Sequence, residues 1–386
     1  MQILFDARVL GAGMHGIARY CQGLLGRLLA DDGENEYLVL IGRDEVRQRF
    51  KTAGPVRWIR TSIPLYGPAE QILLPLRLAG LTFDLYHSPT FTIPLSFAAK
   101  GIITLHDLIP LLFPEDYGIR HRLFFRLIVT PACARAFKVA TVSQASAKDI
   151  VSLLKVSEER IVITPNGLDP LWTKGGEEKG VLWDEDGEGR FILFVGNPKP
   201  HKNFRRVLAA FEKLKEEDGY PGKLVVVGLS GQDVGGALKG EVLFFPRLDD
   251  AALIRLYTQA DLLASPSLYE GFGLPVLEAM ACGCPVVIGD RGALPEVAGA
   301  AGFQVNPLDI RAIKEGMREL IENQTLRAAL REEGKKGAAR FTWDRSTQVV
   351  RESYRQWNGA KKGIRAGGSS RPRGDEAGER SKTSGP

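Results

Sequence analysis

The chain has 386 residues, 44% hydrophobic and 25% charged, which suits a globular enzyme of two or three domains and excludes a disordered or fibrous protein. Its net charge of +5 is concentrated at the end, where residues 359–386 carry seven Lys/Arg against three Asp/Glu; the body lacks the basic face that nucleic-acid binding needs. Cys21, Cys133, Cys282 and Cys284 fit neither a disulfide framework nor zinc spacing, Met1-Gln2-Ile3 enters a strand without a leader, and no apolar run approaches about 18 residues, so a cytoplasmic protein without a membrane span is expected.

Residues 2–10, QILFDARVL, read as a first strand, and Ile17 to Leu29 as a helix with Ile17, Tyr20, Leu24, Leu25 and Leu28 on one stripe. Between them, Gly11-Ala12-Gly13-Met14-His15-Gly16 matches G-x-G-x-x-G and raises a dinucleotide-dependent oxidoreductase or epimerase. Two features weigh against it. Asp6 and Arg8 interrupt the strand before the first glycine, and Asp44 lies 28 residues past Gly16, too far on to hold a ribose. Strand-like segments recur at 56–62, 83–88, 100–107 and 138–143 with helical stretches between several of them, the alternation of a parallel sheet covered on both faces. Ligands bind beyond the carboxyl ends of such strands, which singles out His87-Ser88, His106-Asp107 and Ser143-Gln144. A lone histidine at a strand end is more often structural, and His87 keeps that reading.

Ile119 to Lys138 combines Arg120, Arg122, Arg126, Arg135 and Lys138 with Leu123, Phe124, Phe125, Ile128 and Val129. The segment fits a sheet-covering helix with a solvated basic face, the favoured reading, or peripheral contact with an anionic membrane. Residues 161–169, IVITPNGLD, close a first domain on the turn residues Pro165-Asn166-Gly167, and 170–189 read as a linker. A second domain opens with a strand over Phe191–Val195, a loop from Gly196 to Lys202, and an amphipathic helix from Asn203 to Leu214. A glycine turn at a helix start, with Lys199, His201 and Lys202 beside it, is a cationic cradle for phosphate. Segments 223–231 and 241–250 read as further strands. Asp249-Asp250 then open a helical run, where paired acids are more often helix-terminal charges than ligands, and no metal is expected.

The most informative stretch is Ser265 to Val287, SPSLYEGFGLPVLEAMACGCPVV. Glu270-Gly271-Phe272-Gly273 suits neither strand nor helix, Pro275 suits a helix's first residue, and Gly283 stops that helix before a buried strand. Amides from Gly271 to Leu274 would then face a bound anion or hydroxyl, with Glu270 and Glu278 directed to the same mouth. Ser267-x-x-Glu270 also fits a plain capping box. Trp343 to Trp357 reads as a final helix, and 359–386 as a disordered tail.

Glu270 and Glu278 resemble the E-x7-E signature of retaining glycosyltransferases, and the run E-G-F-G-L-P-x-x-E-A-M-A-x-G-x-P-V resembles glycosyltransferase family 4. The D-x-R and G-I-A-R-Y of the first loop, T-L-H-D-L around His106, and P-N-G-x-D at the domain end are similar to the same family. The resemblance implies the α/β GT-B fold: two Rossmann-like, doubly wound parallel-sheet domains facing across a cleft. Residues 1–169 would form the acceptor domain, 170–342 the donor domain, and 343–358 a helix crossing back. His106, Lys202 and Glu270 are the implied catalytic residues. Gly16 would face the diphosphate, Gly196 and Lys202 the phosphates, and Leu248 the nucleobase. Glu270, Gly271, Phe272, Gly273 and Leu274 would meet the sugar and phosphates, and Glu278 the ribose. The arginine usual before Lys202 is absent, leaving Lys199 or Arg205 as candidates for a second charge. The implied activity is retaining transfer of a hexose from a nucleoside-diphosphate sugar, GDP-mannose favoured, to a glycan or lipid-linked acceptor in cell-surface polysaccharide synthesis. It needs neither metal nor other cofactor. A sugar-nucleotide-binding protein without transfer activity is the remaining rival.

Overall fold

The structure, a computed structural model, describes residues 1–11, 16–174, 189–231 and 240–367. Seven strands, β1 (Gln2–Asp6), β2 (Glu36–Ile41), β3 (Val56–Arg60), β4 (Leu85–Ser88), β5 (Gly101–Leu105), β6 (Lys138–Thr141) and β7 (Ile161–Ile163), form one sheet in the order β3-β2-β1-β4-β5-β6-β7. Six more, β8 (Phe191–Val195), β9 (Lys223–Val227), β10 (Val242–Phe245), β11 (Leu262–Ser265), β12 (Val286–Gly289) and β13 (Gly302–Val305), form a second in the order β10-β9-β8-β11-β12-β13. All pairings are parallel. Helices cover both faces, so central strands are apolar along their length; β5 and β12 are buried at every residue.

In each sheet the order reverses beside the first strand, between β1 and β4 and between β8 and β11. Loops leaving the carboxyl ends diverge there and open a crevice. Gly16 follows β1, Lys202 follows β8, and Glu270 follows β11, so the motif loops fall at the two reversals.

The strand expected over 2–10 stops at Asp6. There Arg8 folds back and forks onto the Asp6 carboxylate, at 2.8 and 2.6 Å, which ends the extended run. His87 is structural: it is fully buried, its Nδ1 lies 2.5 Å from the Tyr354 hydroxyl, and burial pushes its pKa down to about 3. The basic segment does cover the sheet, as helix Ile119–Phe124, a π-helical turn Phe125–Val129 and helix Thr130–Arg135, burying Phe125, Val129, Ala132 and Cys133. Its outer face is not simply basic, because Ile119, Leu123 and Leu127 remain exposed.

The final helix spans Trp343–Gly367 and so continues into the stretch expected to be disordered. Composition alone missed its anchor. The Trp357 indole donates to the Asp84 carbonyl at 3.0 Å, and the Lys361 ammonium pairs with the Asp84 carboxylate. Residues 368–386, and 175–188 of the expected linker, lie outside the described residues. At the helix start, Trp343 sits against two glycines; a β-carbon on Gly23 would come within 2.0 Å of its ring, and one on Gly167 within 2.4 Å of its backbone nitrogen.

Gly167→Ala is therefore expected to destabilise the protein by about 1–3 kcal/mol, the usual cost of overpacking. Thermal unfolding followed by circular dichroism checks this; an unchanged midpoint contradicts the packing account.

Candidate active site

The Ser265–Val287 stretch leaves β11 and reaches the helix Leu274–Ala281 through a turn that only glycine allows. Gly273 caps that helix at φ 100°, and a β-carbon there would lie 2.5 Å from Leu294. Pro275 takes the second helical position rather than the first, where its missing N–H is equally harmless. Among the described residues, no protein acceptor takes the amide protons of Gly271, Phe272 or Gly273, which leaves them for a ligand. Ser267 makes no capping box with Glu270; its hydroxyl donates to the Glu270 carboxylate at 2.9 Å, four residues before the helix begins.

Glu270 is buried, and the same oxygen accepts from Lys202 Nζ at 2.5 Å. Lys202 arrives from the neighbouring reversal, held by a short turn over Pro200–Lys202 and by Asn203, whose amide donates to the carbonyls of Pro266 and Pro307 at 2.8 and 2.6 Å. His201 sits beside Phe113, the rings tilted 38° with centroids 6.2 Å apart, and its carbonyl accepts from Leu268 N–H at 2.7 Å. The anion cradle and the carboxylate are thus one welded unit.

The first domain meets this unit directly. A β-carbon on Gly271 would lie 2.3 Å from the His106 carbonyl oxygen and 2.7 Å from Asp107, so the contact requires glycine. Ser146 staples it, donating to the carbonyls of His106 and Gly271 at 3.1 and 3.3 Å. Nearby, the Glu296 carboxylate accepts from Gln144 N–H at 2.9 Å, at the N-terminus of helix Gln144–Leu154. His106 directly follows β5 and is fixed by Nε2 donating to the Pro89 carbonyl at 2.9 Å and by edge packing on Tyr20.

A cavity of about 530 Å³ between the sheets collects most of the expected positions: Gly16, His106, Gly196, Lys202, Glu270, the Gly271–Leu274 turn and Glu278. Leu248 is the exception. Its side chain packs on the hydrophobic core, and Arg247 and Leu253 face the cavity instead. Neither candidate for a second cation lines this space. Lys199 lies over the Tyr117 ring at 4.8 Å in an adjoining vestibule, and Arg205 sits outside on its helix. Arg19 and Arg247 line it. Arg19 pairs with Asp250, lies 3.8 Å from Glu278, and stacks over Trp172 at 5.4 Å. Its signal was present in G-I-A-R-Y, but helical phase alone did not turn it toward Glu278. Asp249, the other acid of the pair, caps its helix by accepting from Ala252 N–H at 2.8 Å. The vestibule, about 1230 Å³, shares Gly16, His106, Lys202 and Glu270 with the first cavity and extends across the first domain's aromatic residues.

Two parallel sheets, each reversing at the cleft and each contributing loops to one site, define the GT-B fold. Residues 14–171 match the family model described as Glycosyltransferase Family 4, and residues 181–337 the model described as Glycosyl transferases group 1. The two matched segments make the chain a glycosyltransferase whose first domain is of the family 4 type. It is 28% identical to the O-antigen chain mannosyltransferase B of Escherichia coli, over 92% of this chain and 100% of that one. It is 27% identical to the serotype-specific mannosyltransferase WbdA of the same organism, covering 90% of this chain but only 46% of that longer protein. Among solved structures, sucrose-phosphate synthase from Thermosynechococcus elongatus aligns with a TM-score of 0.71 at 20% identity, over 93% of this chain and 99% of that one. HepE from Anabaena, solved in complex with UDP-glucose, aligns with a TM-score of 0.68 at 20% identity, over 92% and 100%.

Burial lifts the Glu278 carboxyl to about 7, against the opposing pull of Arg19 and the Tyr257 hydroxyl. Burial likewise lifts Asp107 to about 6, opposed by the Ile109 N–H and reinforced by Glu270. Both groups bind protons more tightly folded than unfolded, so each contributes stability below its ordinary carboxyl range that is lost as pH rises toward those values. Glu278→Gln stays neutral throughout. Its unfolding midpoint is expected to gain on the wild type between about pH 5 and about pH 8, with most of the gain at or below about pH 7. Parallel pH curves for the two proteins contradict the assignment.

Proposed function

We propose that this glycosyltransferase moves a hexose, with retention of configuration, from a nucleoside-diphosphate sugar to a glycan or lipid-linked acceptor hydroxyl in polysaccharide synthesis. The observation that carries the reading is the Lys202–Glu270 pair beside the open amides of Gly271 to Gly273. The lysine and the carboxylate stand within hydrogen-bond reach of each other. With donor bound, Lys202 and the amides take the terminal phosphate, and Glu270 turns to the sugar hydroxyls. Glu278 accepts from the ribose, and His106 meets the sugar from the opposite domain.

As the sugar–phosphate bond breaks, negative charge grows on the leaving phosphate, where each preorganised donor is worth about 3 kcal/mol of barrier. The acceptor hydroxyl attacks the face the phosphate leaves and passes its proton to a phosphate oxygen, so no enzyme carboxylate forms a bond to the sugar. Side-chain cations and amides neutralise the diphosphate without a metal ion, Arg247 joining Lys202 where the usual arginine is missing. The Escherichia coli mannosyltransferase relative supports mannose as the sugar, and HepE's UDP-glucose supports a nucleotide-linked donor. GDP-mannose is the favoured donor. Family membership leaves no place for the dinucleotide-dependent oxidoreductase reading. The binding-only alternative predicts donor binding without transfer.

The membrane reading also gains support. Ile72, Leu73 and Leu76 of the helix Pro68–Leu78 stand exposed, as do Ile119, Leu123 and Leu127, with Arg120, Arg122 and Arg126 interleaved. An apolar strip edged by arginines suits the surface of an anionic bilayer, where a lipid-linked acceptor would lie. Among the described residues, no helix is long and apolar enough to cross a membrane.

Lys202→Ala and Glu270→Ala are each expected to lower transfer from GDP-mannose at least about a hundredfold with folding preserved, the loss of one or two preorganised contacts. A donor at 100 times its dissociation constant adds about 2.7 kcal/mol of stability, so thermal shift against a panel of nucleotide sugars identifies the donor first. Near-normal turnover in both variants removes the assignment. Leu123→Ser with Leu127→Ser is expected to reduce sedimentation with phosphatidylglycerol vesicles. Equal sedimentation of wild type and variant, or none by either, removes the membrane contact.

A further inference from the structure

The D-x-R motif near the start of the chain takes no part in the donor cavity, yet it carries a concentrated set of buried charges. Asp6, Arg8 and Glu70 all have side chains at most 2% exposed. The Arg8 guanidinium reaches Glu70 at 2.6 Å as well as Asp6, and donates to the Ile63 carbonyl at 3.0 Å. The Tyr86 hydroxyl donates to Asp6 at 2.7 Å. Charges withdrawn from water this completely persist only when each is paired, and here each is.

One branch of the network ends on a backbone amide. The second oxygen of Glu70 accepts from the Tyr66 N–H at 3.2 Å. Tyr66 sits at φ 66°, in the left-handed region where a β-carbon is crowded. The next residue, Gly67, could adopt that conformation freely, yet it is extended at φ −137°. A strained tyrosine beside a relaxed glycine shows that the position demands the side chain, since the turn alone would be easier with the two exchanged.

The Tyr66 ring lies flat on Phe91, centroids 4.5 Å apart and 8° from parallel, and Phe91 rests on Phe125. Tyr66 is still 38% exposed although one ring face is covered by Phe91 and burial beside Asp6 and Glu70 raises the pKa of its hydroxyl. Tyr66 and Phe91 line the vestibule that His106, Lys202 and Glu270 also line.

We infer that Tyr66 is the acceptor platform: a pyranose of the acceptor lays its C–H face on the Tyr66 ring, in the vestibule that opens on Lys202 and Glu270. Aromatic rings and the apolar faces of sugars stack in this way because the ring's negative face meets weakly positive C–H groups. Arg8 and Glu70 are positioning residues, holding the Tyr66 amide without touching the sugar. The inference rests on the glycosyl-transfer reading and adds the acceptor subsite to it.

Saturation-transfer NMR with methyl α-mannoside and a mannobiose, in the presence of GDP, tests the platform on the full-length protein. Tyr66→Gly suits the left-handed backbone, so the fold survives while the ring is lost. Tyr66→Gly and Tyr66→Ala are expected to weaken saccharide affinity at least tenfold, and Tyr66→Phe to stay within about twofold of wild type, since stacking does not use the hydroxyl. Thermal shifts by GDP-mannose should be the same in all four proteins. Unchanged affinity in Tyr66→Gly, or no saccharide binding by the wild type, overturns the platform. Loss of the GDP-mannose shift in the wild type counts instead against the proposed donor and leaves the saccharide result to stand.

Discussion

A single absent side chain holds the two halves of this enzyme in register. Gly271 lies so close to the His106 carbonyl that any β-carbon would collide with it, and Ser146 bonds both carbonyls at that point. Everything chemical hangs on this approach. It brings the turn that presents free amides against the end of β5, and so brings His106 to the same cavity as Lys202 and Glu270. The contact is backbone against backbone, and neither partner can swing aside. A larger residue at Gly271 would have to part the sheets.

Around that contact the charges form two tiers. Lys202 and Glu270 satisfy each other at the centre, while Arg19 reaches from the first domain toward Asp250 and Glu278. The Arg19 contacts span the cleft, as does the Glu296 carboxylate at the start of the Gln144–Leu154 helix, so ion pairs and a capped helix tie the two domains together across the site.

The first domain carries a second, separate charge network. Asp6, Arg8 and Glu70 are isolated from the donor cavity and converge on the backbone of Tyr66. A motif that resembled part of the phosphate-facing loop thus works behind the other side of the cleft. The two networks differ in location: one lines the cavity between the sheets, and the other lies behind the wall of the vestibule beside it.

The amino-acid order determined the architecture by itself, because short apolar runs alternating with amphipathic helices have one economical solution, a covered parallel sheet, and this chain contains it twice. It also determined the chemistry of the local motifs: glycines, a proline and two glutamates in one stretch specify a turn with open amides whatever surrounds it. Glu270 and Glu278 were placed beside that turn by local rules, while Lys202 came from its own glycine loop and His106 only from the family resemblance. Tertiary structure alone decided what depends on distant partners. Arg19 and Arg247 became cavity residues, and Leu248 turned to the core, only through the facing of two sheets. The last helix outran its expected end because Asp84, remote in the chain, holds Trp357 and Lys361. The stretch from Ser265 to Val287 specifies half a site, since carboxylates and amides can be placed by local rules. The other half requires a close approach of two backbones that no spacing within one segment encodes.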